Sequence, residues 1–128
     1  MSNLKLPTMS FYNLCKIAIP AKGEWKKIAY ETYVRYRVRE SDNGLRQFIA
    51  IDVRHHHTVI ATIQDKTVTL DNGGYVSSTT TNRMNRVLRD NRVPFSVAIR
   101  NFEQVVLDHS NNFKPSSLTG YRSFKAGE

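Results

Sequence analysis

The sequence predicts an α+β fold in which antiparallel β-hairpins form a meander and one main α-helix packs on the sheet. Two patterns support this prediction: several segments alternate polar and apolar residues with a period of two, and one segment has the spacing of an amphipathic helix. The chain of 128 residues is long enough for one domain with its own core. No apolar run approaches the roughly 20 residues that span a bilayer, so no membrane partner is expected.

The clearest strand lies over residues 30–39, where aromatic or β-branched residues alternate with arginines and other polar residues. This alternation predicts one buried face and one basic face. An Asn-Gly turn follows and favours a hairpin, whose return strand is expected over residues 47–54. Two further hairpins are predicted, over residues 57–70 and 95–107.

The one long helix is predicted over residues 82–91. Thr80 or Thr81 would cap its N-terminus, because a threonine hydroxyl can accept a hydrogen bond from a free backbone N–H of the first turn. Pro94 would end it, since proline cannot continue a helix. Its apolar residues recur at helical spacing: Met84, Val87 and Leu88.

Three parts of the chain are distinguished by composition. Residues 1–29 form an N-terminal segment that is expected to be partly helical, because prolines and a glycine limit any helix there to a short piece. Residues 30–108 are expected to form the single α+β core domain. Residues 109–128 are rich in Ser, Asn, Pro and Gly and are predicted to be a polar C-terminal tail.

The charge of the chain indicates an anionic partner. Nineteen Lys and Arg residues outnumber eleven acidic ones, which gives a net charge of +8. A field of this sign attracts nucleic acid, nucleotides or acidic proteins, and arginine suits bidentate recognition of phosphate. Cys15 is the one cysteine, so no intrachain disulfide can form, and a reducing cytoplasm is the expected location.

The segment from Gly73 to Arg89, which leads into and includes the predicted helix, is the first candidate site. A helix N-terminus attracts anions, and Arg83 in the first turn adds a positive charge. Gly74 allows close backbone approach, Thr80 and Thr81 offer hydroxyl groups, and Tyr75 offers an aromatic ring for stacking on a base. The plainer interpretation is a glycine turn, capping threonines and a packed tyrosine. The residues alone favour that interpretation.

Arginines on two elements form a second candidate, an anion or nucleic-acid face. Arg35, Arg37 and Arg39 would project from one strand face roughly 6.6 Å apart, close to the phosphate spacing of an extended nucleic acid. Arg86 and Arg89, together with Arg83, would form a second basic stripe on the helix. The alternative is a solvated surface, since no known nucleic-acid-binding motif is present.

The triplet His55-His56-His57 suggests a metal site, because His55 and His57 would share one face of a strand. A zinc site needs a third or fourth ligand, and the candidates are His109 or a carboxylate such as Asp52. The alternative is a polar or buried histidine at the start of a strand. We therefore expect no bound metal and no other cofactor.

Catalysis has little support in the sequence. The chain has no Gly-x-Ser-x-Gly motif, no P-loop and no cysteine with an evident histidine partner. Paired acidic residues on one predicted face are also missing. These observations predict a binding protein and not an enzyme.

Several short motifs over residues 47–107 together resemble those of a group of small bacteriophage proteins. Their order is His-x-Thr-x-Ile, then Leu-x-x-Gly-Gly-aromatic, then Thr-Thr-x-x-Arg-Met-Asn. The spacing of the Gly-Gly-aromatic motif and the downstream asparagine is similar to that of the Thoeris anti-defence family of phages. Proteins of that family are sponges that sequester cyclic ADP-ribose signals, and some hold cyclic oligonucleotides.

This resemblance implies a homo-oligomer in the cytoplasm of the infected bacterial host, binding a cyclic nucleotide signal without cleaving it. It implies that Tyr75 stacks on the ligand and that Asn85 contacts it, while Arg83 is included for its charge. Two other functions stay open: a basic nucleic-acid-binding protein used in host takeover, and an inhibitor of an acidic host protein.

Overall fold

A computed structural model describes residues 6–73, 77–118 and 121–126. Within these ranges the chain forms two α-helices and two antiparallel sheets, which confirms the α+β prediction. The elements in chain order are α1 (Phe11–Ala18), β1 (Lys26–Ala29), β2 (Thr32–Glu40), β3 (Gln47–His55), β4 (Thr58–Ile63), β5 (Thr67–Asp71), α2 (Ser78–Asp90), β6 (Phe95–Arg100), β7 (Glu103–Asp108), β8 (Lys114–Ser117) and β9 (Tyr121–Lys125). Across these described ranges, no helix is long and apolar enough to cross a membrane.

The larger sheet has six strands in the order β1-β2-β3-β4-β5-β9, and the smaller sheet has the order β6-β7-β8. The three predicted hairpins are present as β2-β3, β4-β5 and β6-β7. Gly44, in the turn between β2 and β3, has φ +69°, a conformation that glycine adopts without steric cost. The turn sets a register in which Thr32 lies opposite His55.

The two faces of the large sheet have different environments, as the period-two alternation predicts. The inner face contributes buried aliphatic residues to one core, which both helices and the small sheet complete. The outer face carries the alternate, mostly polar side chains of the same strands. Inner-face residues that are fully buried include Val34, Ile51, Val53, Ile63, Val68 and Leu70.

Helix α2 begins one turn earlier than the sequence predicts. Ser77 caps it, accepting a hydrogen bond from the Thr80 amide, so Thr80 and Thr81 lie inside the helix and are buried. The prediction of a threonine cap is therefore wrong. A serine hydroxyl fills the same role as a threonine hydroxyl, and the Thr81 hydroxyl is satisfied inside the helix by the Ser77 carbonyl at 2.8 Å. The predicted apolar stripe of α2 is fully buried.

The segment after residue 108, expected to be a polar tail, supplies strands to both sheets. β8 pairs with β7, and β9 pairs with β5. Phe124 in β9 is buried, and its ring centroid lies 5.0 Å from that of Phe95. At the other end of the chain, the partly helical N-terminal segment contributes α1, which Ser10 caps.

Candidate functional site

A cavity of about 480 Å³ lies between the β3-β4 turn and the first turn of α2. Its volume falls within the range of small-molecule sites, roughly 300–1,000 Å³. The predicted site segment contributes Gly73 and Thr80 to its lining, and the histidine triplet contributes all three of its members. The cavity thus joins two features that the sequence presents as separate candidates.

The three histidines have different environments. His55 ends β3 and is buried, whereas His56 and His57 form an exposed turn before β4 begins at Thr58. His56 has φ +53°, and its amide donates to the Glu31 carbonyl at 2.7 Å. The expectation that His55 and His57 share one strand face is therefore wrong, because the chain turns between them.

His55 belongs to a hydrogen-bonded chain that also includes Thr32 and Arg83, from β2 and α2. Thr32 Oγ1 lies 2.8 Å from the Tyr30 carbonyl oxygen, 3.1 Å from His55 Nδ1 and 3.2 Å from Arg83 Nε. A carbonyl oxygen can only accept, so the threonine proton is donated to Tyr30. The guanidinium N–H can only donate, so it uses one lone pair of the hydroxyl oxygen.

The remaining contact of Thr32 determines the tautomer of His55. With its proton directed at Tyr30, the hydroxyl can only accept from His55, so Nδ1 must carry the hydrogen. Burial lowers the pKa of His55, and the nearby His56 and Arg83 lower it further, while Glu31 opposes them. The ring is thus neutral at neutral pH, and its Nε2 carries an unprotonated lone pair.

Nε2 of His55 is buried and has no hydrogen-bond partner within the described residues. An unsatisfied buried acceptor costs roughly 1–3 kcal/mol. Three other buried side-chain atoms also have no hydrogen-bond partner within the described residues; they belong to Arg54, Arg86 and Gln104. Of these four residues, His55 is the one that lines the cavity. An acceptor without a partner among the described residues therefore lies within a residue of the cavity wall, and a ligand N–H or O–H group that reached it would satisfy it.

Gly73 allows the β5-α2 connection to approach the start of β4. It has φ +59°, and a Cβ atom at this position would lie 2.7 Å from Thr58 Cγ2. The Asp71 side chain accepts from the Gly73 amide at 2.8 Å and holds the turn. Gly74 and Tyr75, which the sequence includes in the candidate site, lie outside the described residues.

The remaining predicted ligand contacts have structural roles. Asn85 donates to the Val97 carbonyl at 2.8 Å and accepts from the Val97 amide at 2.7 Å, which joins α2 to β6. These two bonds use one N–H and one lone pair of the amide, and a ligand contact by Asn85 stays a prediction. The Thr81 hydroxyl accepts from Gln104 at 2.9 Å. Arg83 contacts Thr32, and burial together with Arg86 lowers the pKa of its guanidinium.

The arginines predicted to form one anion face lie on two sides of the molecule. Arg35, Arg37 and Arg39 alternate with the inner-face residues of β2 and so project from the outer face. Arg86 and Arg89 belong to α2, which packs on the inner side. Arg86 donates to the carbonyls of residues 6 and 7 and lies 3.5 Å from Asp90, so it ties the N-terminal segment to α2.

Within the described ranges, no group of three or more His, Cys, Asp and Glu side chains is arranged to hold a metal ion. Asp52 is buried and hydrogen-bonded to arginines on the outer face, and His109 lies 2.9 Å from Ser96 on the small sheet. Neither accompanies the histidine triplet. Burial, aided by Asp65, raises the pKa of the Cys15 thiol, which disfavours a reactive thiolate.

The fold and cavity define a basic two-sheet α+β protein with a histidine-lined cavity. The chain belongs to the Kyanoviridae Gp96 protein family, whose model matches residues 12–125, and it is thus a bacteriophage protein. No curated protein matches it, and no solved structure matches it.

Proposed function

We propose that the protein binds a small nucleotide in the cavity and holds it without cleaving it. The observation that carries this proposal is that His55, which lines a cavity of ligand size, has a buried Nε2 with no hydrogen-bond partner among the described residues. A ribose hydroxyl or an exocyclic amine of a base can donate to it. Binding would then supply a hydrogen bond that Nε2 does not form with the described residues.

The charge around the cavity favours a ligand that also carries phosphate. Arg83 is linked to His55 through Thr32, and the N-terminus of the 13-residue helix α2 borders the cavity through Thr80. A helix N-terminus and a guanidinium both stabilise anions. A cyclic ADP-ribose signal or a cyclic oligonucleotide combines hydroxyl and amine donors with phosphates. Sequestration of such a signal in the cytoplasm of the infected host, by a homo-oligomer, is the role that we propose.

The surroundings of His55 support binding without cleavage. Its Nδ1 hydrogen-bonds to a neutral threonine hydroxyl and not to a carboxylate. A proton accepted at Nε2 would therefore create a buried imidazolium beside Arg83, which desolvation and charge repulsion both disfavour. The residue is suited to accept a hydrogen bond and poorly suited to act as a general base.

Isothermal titration calorimetry with cyclic ADP-ribose isomers, linear ADP-ribose and cyclic dinucleotides tests the proposal. We expect one of these compounds to bind to the wild type and to be recovered intact after denaturation and chromatography. His55→Phe should weaken binding by about tenfold or more, because one buried hydrogen bond is lost. His109→Gln is the matched control, since His109 lies on the small sheet, and it should leave binding unchanged. Equal affinity for His55→Phe and the wild type would rule out the cavity as the site.

A further inference from the structure

We infer that the outer face of β1, β2 and β3 is a second and separate binding site, for single-stranded nucleic acid. This face lies on the opposite side of the sheet from His55, because Tyr33, Arg35 and Arg37 alternate in β2 with Thr32, which contacts His55. The inference does not depend on the nucleotide proposed for the cavity.

A stacked column of aromatic rings and guanidinium groups forms the middle of this face. The guanidinium carbon of Arg54 lies 4.4 Å from the ring centroid of Tyr33 and 4.5 Å from that of Trp25. The guanidinium carbon of Arg35 lies 4.4 Å from the Trp25 ring. These distances are within the range of cation–π contacts, roughly 6 Å. Two arginines are thus held against aromatic rings instead of extending freely into solvent.

One buried carboxylate organises the arginines beside this column. Asp52 accepts from Arg37 Nε at 2.7 Å and from Arg37 Nη2 at 3.1 Å, and also from Arg35 Nε at 3.2 Å. Thr62 donates to the same carboxylate at 3.0 Å. A single negative charge is therefore shared by two guanidinium groups, and the pair keeps a positive charge.

The face as a whole is strongly basic. Its five cations stand against the one carboxylate of Asp52, which leaves a net charge of +4 on the outer sides of three strands. These cations are Lys27, Arg35, Arg37, Arg39 and Arg54. Such a density of one sign attracts a polyanion more than it does a single phosphate.

The shape of the face and the fixed arginines favour a single strand. A sheet surface cannot enter the major groove of a duplex as a helix or a two-stranded ribbon does. Alternate residues along β2 recur roughly every 6.6 Å, so Arg35, Arg37 and Arg39 can follow the phosphates of an extended strand. Guanidinium groups already fixed by rings and by Asp52 lose less rotamer freedom when they bind phosphate. Guanidinium planes and aromatic rings also provide stacking surfaces for unpaired bases.

Fluorescence anisotropy with a labelled (dT)20 oligonucleotide tests this inference. The variant Lys27→Gln/Arg39→Gln removes two exposed cations from the face, and Arg89→Gln/Arg100→Gln removes two exposed cations elsewhere. Each double variant has the same net charge. We expect the first to bind about tenfold more weakly and to lower the slope of log K against log salt by about 1.4, since each phosphate contact on a single strand contributes roughly 0.7. The second should stay close to the wild type.

Trp25→Leu provides a test at constant charge. It removes the ring against which the Arg35 and Arg54 side chains are held. Because these side chains then lose their fixed positions, binding of (dT)20 should weaken several-fold. A labelled duplex and polyglutamate complete the set of probes. Three results would overturn the inference. One is an equal loss of binding in the two double variants, and another is tighter binding of the duplex or of polyglutamate to this face. The third is no binding of (dT)20 at about 50 mM salt, an ionic strength at which phosphate contacts are strong.

Discussion

The cavity and the outer sheet face are two polar regions for which we propose ligands, and they are built in opposite ways. On the outer face, many charges stand near the surface and neighbouring rings and one carboxylate hold them in place. In the cavity, one neutral imidazole is buried and lacks one partner. Net charge therefore identifies the first region but not the second, which is identified instead by a buried group with unused hydrogen-bonding capacity.

The largest effect on stability is expected at Asp52, which anchors the outer face. Asp52→Ala removes the partner of Arg35, Arg37 and Thr62, and it should lower the free energy of unfolding by about 2–3 kcal/mol, since hydrogen bonds to charged groups contribute about 1.5–3 kcal/mol. The partial exposure of both arginines keeps the effect below that of a fully buried pair. Urea denaturation measures it. An unchanged midpoint would show that the carboxylate does not organise this face.

Substitution of Asn85 tests whether this residue stabilises the fold or contacts the ligand. Asn85→Ala should cost about 2 kcal/mol of stability, because two hydrogen bonds to Val97 are lost at roughly 1 kcal/mol each. Nucleotide affinity, measured by calorimetry well below the unfolding temperature, should remain that of the wild type. A variant of normal stability that loses nucleotide binding would show that Asn85 contacts the ligand directly.

Gly73 tests how closely the chain must approach the cavity. Gly73→Ala places a Cβ 2.7 Å from Thr58 Cγ2 in a left-handed conformation, so it should lower stability by about 1–2 kcal/mol. The matched control is Gly44→Ala, which has φ +69° but no atom within 4 Å of the added Cβ. Thermal unfolding should show a larger loss at Gly73 than at Gly44, and equal losses would mean that the contact with Thr58 relaxes without cost.

The smallest expected effect is the pH dependence of stability that comes from His55. Its pKa is lowered in the folded state relative to about 6.5 in the unfolded chain. The unfolded state therefore binds more protons, and the contribution of His55 to stability is present above pH 6.5 and is lost as the pH falls below that value. The urea midpoint should fall more between pH 7 and pH 5 for the wild type than for His55→Gln. An equal fall would indicate that His55 titrates alike in both states.

Local patterns predicted the hairpins and the apolar stripe of α2, because both depend on residues close together in sequence. The pairing of β9 with β5 could not be predicted in this way, since residues more than fifty positions apart meet there, as Thr69 and Ser123 do. The polar composition of the last segment instead favoured a tail. Only Phe124 is buried in β9, so the apolar signal of that strand is weak.

The candidate site also could not be assembled from local sequence patterns alone. Gly73, Thr80 and the histidines were each visible as separate patterns, but the cavity exists because the β3-β4 turn meets α2. The sequence analysis missed Thr32, which fixes the tautomer of His55. The register of the β2-β3 hairpin was the signal that could have identified it, because that register places Thr32 directly opposite His55. Arg83 joins them from a position 51 residues beyond Thr32, which no local pattern encodes.

The protonation of the His55 ring is the most direct test of the proposed cavity. A long-range proton–nitrogen NMR spectrum at pH 7 should show a neutral imidazole with the hydrogen on Nδ1 and a bare Nε2. Addition of cyclic ADP-ribose, or of the compound that binds best by calorimetry, should shift the Nε2 resonance as it accepts a hydrogen bond, while the resonances of His109 stay in place. An imidazolium, a hydrogen on Nε2, or a His55 ring that is unchanged when the nucleotide binds would contradict the proposal.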